Sequence, residues 1–214
     1  MALLATHIRF ALDVKKNFNI KNLDEYISGT VYPDSRYITK IDREATHNSN
    51  FLNNNFYKDN DFKKGWFVHL ICDKIQFKVF ENIFPDLLNN FKDEKSKLSP
   101  EHWVLRTNLK IFQDMYDVSQ FPIKNYLKCL EYTKAPNNEK NELIKKYNQI
   151  IIDLYKKDKL IPQDLINMWT DLGLDKERVN QIKQKNDEMK SDVKILEKIP
   201  LIYPEILSFY KNSK

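Results

Sequence analysis

Three of the chain's four histidines fall into one pattern with two aspartates: His7, Asp34, His47, His69 and Asp73. The last two lie four residues apart in Gly65-Trp66-Phe67-Val68-His69-Leu70-Ile71-Cys72-Asp73-Lys74, an otherwise apolar segment. Residues four apart share a helix face. An imidazole and a carboxylate turned together into an apolar interior are costly unless both are satisfied, and a bound metal ion satisfies both. Imidazole and carboxylate donors without thiolate suit zinc, manganese or iron in a hydrolytic site. His7 lies among Leu4, Ile8 and Ala11 on the expected inward face of a helix. Asp34 follows Pro33 in a stretch that reads as a loop presenting its carboxylate. His47 sits in the polar run Glu44-Ala45-Thr46-His47-Asn48. Ordinary readings stand beside these: a core histidine bonded to a helix-neighbour acid for His69 and Asp73, and a solvent-exposed histidine for His47.

Cations flank the set. Arg36 and Lys74 each sit beside a proposed ligand and are candidates for holding a phosphate, Arg through its bidentate fork. Both also read as surface cations of a Lys-rich protein. His102 follows Glu101 at a helix start, where a surface histidine is the first reading and a substrate contact the second.

The elements that must position these residues are helical. Only three glycines are present, at 29, 65 and 173. Leu, Ile and Phe recur at spacings of three and four, and strict alternation is rare, so an all-α, multi-helix bundle is expected. A first helix is predicted over about Leu3 to Lys16, and a short second one from Leu23 to Ser28, stopping at Gly29. Thr39 to Asn60 reads as polar loop with a short helix near Arg43 to Leu52. Asn60 or Asp61 caps a long helix to about Glu81 whose face carries Phe62, Trp66, His69, Leu70, Asp73 and Phe77. Ser99-Pro100-Glu101 is a helix start, with the helix running to about Tyr116 and another spanning Ile123 to Thr133. Ala135-Pro136-Asn137-Asn138 is a break. Beyond it come an amphipathic helix around 142–154, one from Pro162 closed by Gly173, and a thin apolar stripe from Asp175 to Ile199.

With 214 residues, the chain fits a metal-binding helical domain over 1–135 and a helical C-terminal extension over 136–214, packed as one unit. The net charge of +5 is spread along the sequence without a basic run, so no nucleic-acid partner is expected. Cys72 and Cys129 are too few and too far apart for a disulfide framework and read as buried thiols. Met1 to Thr6 lacks the basic flank of a signal peptide, and no stretch approaches the ~20 apolar residues of a membrane span. A cytoplasmic location is the expectation, and nothing in the pattern specifies an oligomer.

In order, His7, Gly29-Thr30-Val31-Tyr32-Pro33-Asp34-Ser35, Thr46-His47 and Gly65-x-x-x-His69-x-x-x-Asp73 resemble the bacterial zinc-dependent phospholipase C family, and more closely its small intracellular hydrolase-like branch. The resemblance covers roughly residues 1 to 80. It implies a phospholipase C-like helical bundle with the metal site between helices. Asp34, His47, His69 and Asp73 would surround one ion, and Asp73 would reach a second ion shared with His7. It implies phosphoester hydrolysis of a small phosphodiester or phospholipid-like substrate, with Asp34 orienting or deprotonating the attacking water and Asp73 the other catalytic carboxylate. Two departures are visible. Secreted members use an N-terminal tryptophan as a ligand, whereas Met1 lies six residues before His7. They also carry a further His-His-Glu site, for which His102 is the one histidine left here. One or two ions, zinc foremost, are therefore expected. The helical HD-domain phosphohydrolases are the rival metal fold, and their adjacent His-Asp dipeptide is absent. The alternative from another class is a non-catalytic binding or scaffold protein with a structural or vestigial metal site; a metal-free helical protein comes third.

Overall fold

Asp61–Ile83 is the longest helix among the described residues and the axis on which the site is built. Asn60 starts it, its side-chain oxygen accepting from the Lys63 amide at 2.9 Å. The structure is a computed structural model that describes residues 3–52, 55–58, 60–91 and 93–213, with residues 55, 56 and 94 in backbone only. Met1 and positions 53, 54 and 59 of the expected polar loop lie outside the described residues.

The regular structure of the described residues is all helical, with no strand among them. In chain order the α-helices are α1 (Leu4–Val14), α2 (Leu23–Val31), α3 (Arg36–Thr39), α4 (Arg43–His47), α5 (Asp61–Ile83), α6 (Pro85–Leu88), α7 (Glu94–Lys97), α8 (Pro100–Gln120), α9 (Asn141–Tyr155), α10 (Pro162–Asp171), α11 (Lys176–Met189) and α12 (Val193–Asn212). A 3-10 turn over Tyr32–Ser35 joins α2 to α3, and a longer 3-10 segment, Ile123–Glu131, follows α8.

Several boundaries differ from the expected ones. Gly29 does not end the second helix. It lies inside α2, where a Cβ would fall 2.0 Å from the Phe62 carbonyl oxygen; at Gly65 in α5 a Cβ would fall 1.9 Å from the Tyr26 carbonyl oxygen. The two glycines are thus where α2 and α5 cross backbone to backbone. Asp61 fixes the same crossing from the end: its carboxylate accepts from the Lys21 and Asn22 amides at 2.8 and 2.6 Å. Asp34 is not on a loop but in the Tyr32–Ser35 turn, and it is buried. The stripe from Asp175 to Ile199 divides into α11 and α12, because Asp192 caps a new helix by accepting from the Lys194 and Ile195 amides. Ile123 to Thr133 is 3-10 rather than α over Ile123–Glu131.

One apolar cluster runs from Leu3, Ile8 and Phe10 of the N-terminal region through Val68, Val79 and Leu109 to Ile151, Trp169, Ile202 and Ile206. α12 packs on α5 and α8, α11 on α8, and α9 on the Tyr32–Ser35 turn and α3. Residues beyond the 135–138 break therefore form part of the wall around Asp34 and His7. Cys72 and Cys129 are free, buried thiols. No helix among the described residues is long and apolar enough to cross a membrane.

Candidate metal centre

The five residues come from four elements. His7 is on α1, Asp34 on the Tyr32–Ser35 turn, His47 at the end of α4, and His69 and Asp73 one turn apart on α5. The structure brings all five together. His69 Nε2 lies 3.3 Å from His47 Nε2, 3.7 Å from Asp73 Oδ2 and 4.0 Å from Asp34 Oδ2. His47 Nε2 lies 3.6 Å from Asp34 Oδ1 and 3.8 Å from Asp73 Oδ2. Donors held about 2.0–2.2 Å from a tetrahedral zinc stand about 3.3–3.6 Å apart, so these separations match a coordination shell with little closing movement.

The second ring nitrogens decide which atoms face inward. His69 Nδ1 meets the Thr30 carbonyl at 2.9 Å and must donate to it, which leaves a lone pair on Nε2. Thr46 Oγ1 donates to the Arg43 carbonyl at 3.3 Å and so accepts from His47 Nδ1 at 2.8 Å. Both tautomers, assigned from their partners, present bare Nε2 atoms to one point. Two imidazole lone pairs 3.3 Å apart repel unless a cation lies between them. Such outer bonds to a ligand's far nitrogen are the usual means of orienting metal-bound histidine.

His7 stacks on His69 with ring centroids 4.0 Å apart. Its Nε2 is 3.7 Å from Asp73 Oδ1, yet neither ring nitrogen has a hydrogen-bond partner although both are buried. A buried polar group left so costs about 1–3 kcal/mol. Two sets of donor atoms lie within 4.8 Å of one another: His7, Asp34 and His69, and His47, His69 and Asp73.

The electrostatics suit a cation. Burial pushes the His7, His69 and His47 imidazoles down, His47 to about 4, so all three are neutral donors near pH 7. Burial works to raise the two aspartates but is overcome. Interactions with the groups around it, the hydrogen bond to His47 among them, hold Asp34 low. Lys110 is foremost among the charges that hold Asp73 well below the usual carboxylate range.

Lys110 was not singled out from the sequence. Its Nζ lies 3.2 Å from Asp73 Oδ1, and the residue is only 6 % exposed. The available signal was the polar row Arg106, Thr107 and Lys110 on a face of the predicted helix from Pro100, a row that puts a cation among inward residues.

A cavity of about 600 Å³ opens beside the cluster, and His47 and Asp73 stand in its wall. Arg36 and Lys74 line it as well. His102 lies elsewhere. It is buried, bonded through Nδ1 to the Lys97 carbonyl at 2.8 Å, and packed between Phe91 and Phe77. α4 carries His47 and is a helix of five residues. It is held by Trp66 Nε1, which donates to the Thr46 carbonyl at 2.7 Å, and by Asn137 Nδ2, which donates to the Ala45 carbonyl at 3.3 Å.

Among known proteins, no family model, no curated protein and no solved structure matches the chain.

Proposed function

We propose that the chain is a metal-dependent phosphoester hydrolase of phospholipase C-like type, with zinc held by Asp34, His47, His69 and Asp73. His7, with Asp73 Oδ1, offers donors for a second ion. The observation that carries the reading is the convergence of four donor residues from three elements, with histidine–histidine and histidine–carboxylate separations of 3.3–4.0 Å and both histidine tautomers fixed from behind. The ion, when bound, lowers the pKa of its water toward ~7 and polarises the phosphoryl oxygens.

The chain's own residues do the rest. Asp34, ionised and beside His47, is placed to orient the attacking water or accept its proton. Lys110, 3.2 Å from Asp73 Oδ1, keeps Asp73 ionised. Arg36 and Lys74 on the cavity wall offset the negative charge of a phosphate-bearing substrate. The substrate class is a small phosphodiester or phospholipid-like ester. The rival reading, a binding or scaffold protein with a structural or vestigial ion, needs a closed shell; a cavity that reaches two of the ligands favours catalysis.

Elemental analysis of the purified protein is expected to give about one to two equivalents of metal. His69→Ala should lose it, and Asp34→Asn should bind metal more weakly and, even at saturating metal, lose hydrolysis of bis(p-nitrophenyl) phosphate. A folded wild-type protein that neither carries nor takes up metal would overturn the proposal. Metal without hydrolysis of any phosphoester would leave the scaffold reading in its place.

A further inference from the structure

The cavity wall holds six cations, Arg36, Arg43, Lys74, Lys78, Arg106 and Lys110, against one carboxylate, Asp73. That excess matches the formal net charge of the whole chain, +5. Cations dispersed along the sequence are thus brought together by the fold on one wall. Apart from Lys110, none of the six has a carboxylate within 4.0 Å among the described residues.

Two of them are also short of hydrogen-bond partners. The Nε atoms of Arg36 and Arg106 are buried and unbonded. A guanidinium donor kept from water without an acceptor is costly, and an anion in the cavity would meet these two guanidinium groups at their outer nitrogens, which the wall supplies. The aromatic residues of the wall aim these groups rather than offering free platforms. The Arg36 guanidinium lies over the Tyr37 ring at 4.4 Å, Arg106 over Phe77 at 4.0 Å, and Arg178 over Trp103 at 5.5 Å. Trp169 receives the edges of Tyr37 and Trp103. One phosphodiester carries one charge, far less than this wall is arranged to meet.

We infer that the cavity takes a multiply phosphorylated ester, one bearing at least one phosphate besides the group that reacts, with Arg36 and Arg106 seating the additional phosphate. The inference rests on the proposed function only for the bond that is cleaved; the anion seat is made of fixed cations and does not need the ion.

The test therefore uses metal-free protein, stripped on a chelating resin, and calorimetric titration with pyrophosphate and with orthophosphate. Pyrophosphate should bind at least about tenfold more tightly, and Arg36→Gln and Arg106→Gln should each weaken it by about tenfold. Lys78→Gln, at an exposed position, should weaken it by a smaller factor and keeps the test valid if an arginine variant fails to fold. Equal affinity for the two anions, or pyrophosphate affinity unchanged in these variants, would overturn the inference. So would tighter binding of a single-stranded oligonucleotide than of pyrophosphate. A second arm separates the sources of such an ester. Sedimentation with phosphatidylcholine vesicles containing a phosphorylated inositol lipid supports a lipid headgroup, and binding of the free inositol phosphate alone supports a soluble ester. Loss of metal binding would defeat the hydrolase proposal and leave these titrations unaffected.

Discussion

Gly65→Ala provides a test in which two physical arguments predict opposite signs. In a helix interior, alanine is favoured over glycine by about 0.8–1.0 kcal/mol, so propensity alone predicts a more stable protein. The crossing predicts the reverse. A Cβ at Gly65 would sit 1.9 Å from the Tyr26 carbonyl oxygen and 2.7 Å from the Thr30 amide nitrogen, both backbone atoms. No rotamer relieves such a contact. Restoring ordinary van der Waals distance, about 3.4 Å, requires α2 and α5 to part by about 1.5 Å. The bond from His69 Nδ1 to the Thr30 carbonyl, 2.9 Å long, spans the same crossing, and a parting of that size breaks it. Overpacking costs about 1–3 kcal/mol and the lost buried bond about 1–3 kcal/mol. Against the propensity gain, the net is a destabilisation on the order of 3 kcal/mol. Urea unfolding followed by circular dichroism reads the stability, and competition with a chromophoric chelator reads zinc affinity. A lower midpoint at unchanged slope, with weakened zinc binding, is the expected result. A variant as stable as the parent, with unchanged zinc affinity, would refute the close-crossing argument.

Other consequences are accessible to simpler measurements. Trp66→Phe keeps the ring packed but deletes the bond to the Thr46 carbonyl, so global stability should fall by about 1 kcal/mol while zinc dissociation accelerates several-fold in stopped-flow chelator competition. Burial raises the Asp114 carboxyl to about 7, with Asp117 adding to the shift against the Tyr155 and Thr6 hydrogen bonds. Its folded pKa lies above its unfolded value, so its contribution to stability is full below about pH 4 and is lost as pH rises through about 7; Asp114→Asn should flatten that part of the stability profile in urea titrations from acid to neutral pH. His47 titrates near 4, so protons compete for this ligand only in more acidic solution than for an ordinary imidazole. Metal content after equilibrium dialysis should hold down to about pH 5, and loss already near pH 6.5 would contradict the burial of the cluster.

The candidate ligands were legible because each carries a local oddity. His69 and Asp73 interrupt an apolar helix face at a spacing of four, and Asp34 follows a proline. Helix starts with side-chain caps, at Asn60 and Ser99, were equally readable because the cap and the first turn are adjacent in sequence. What escaped depends on partners distant along the chain. Gly29 looks like a helix stop until Phe62 is known to lie against it. His47 looks exposed because its neighbours are polar, yet Thr46 and Trp66 draw it inward. Lys110 looks like one more lysine until α8 is laid against α5. The gathering of cations on one wall has no sequence signature, since Arg36, Lys74 and Arg106 belong to three different helices.

Three of the four primary donors sit on α5 or on the turn that α9 covers, whereas the fourth, His47, comes from a five-residue helix fastened at two backbone carbonyls. Short segments with few anchors open locally at a free energy well below that of global unfolding. Local opening of α4 is therefore expected to speed the release of an ion bound through His47. The exchange rate of the ion, set by how firmly α4 is seated, and the fold's overall stability then become separately adjustable properties.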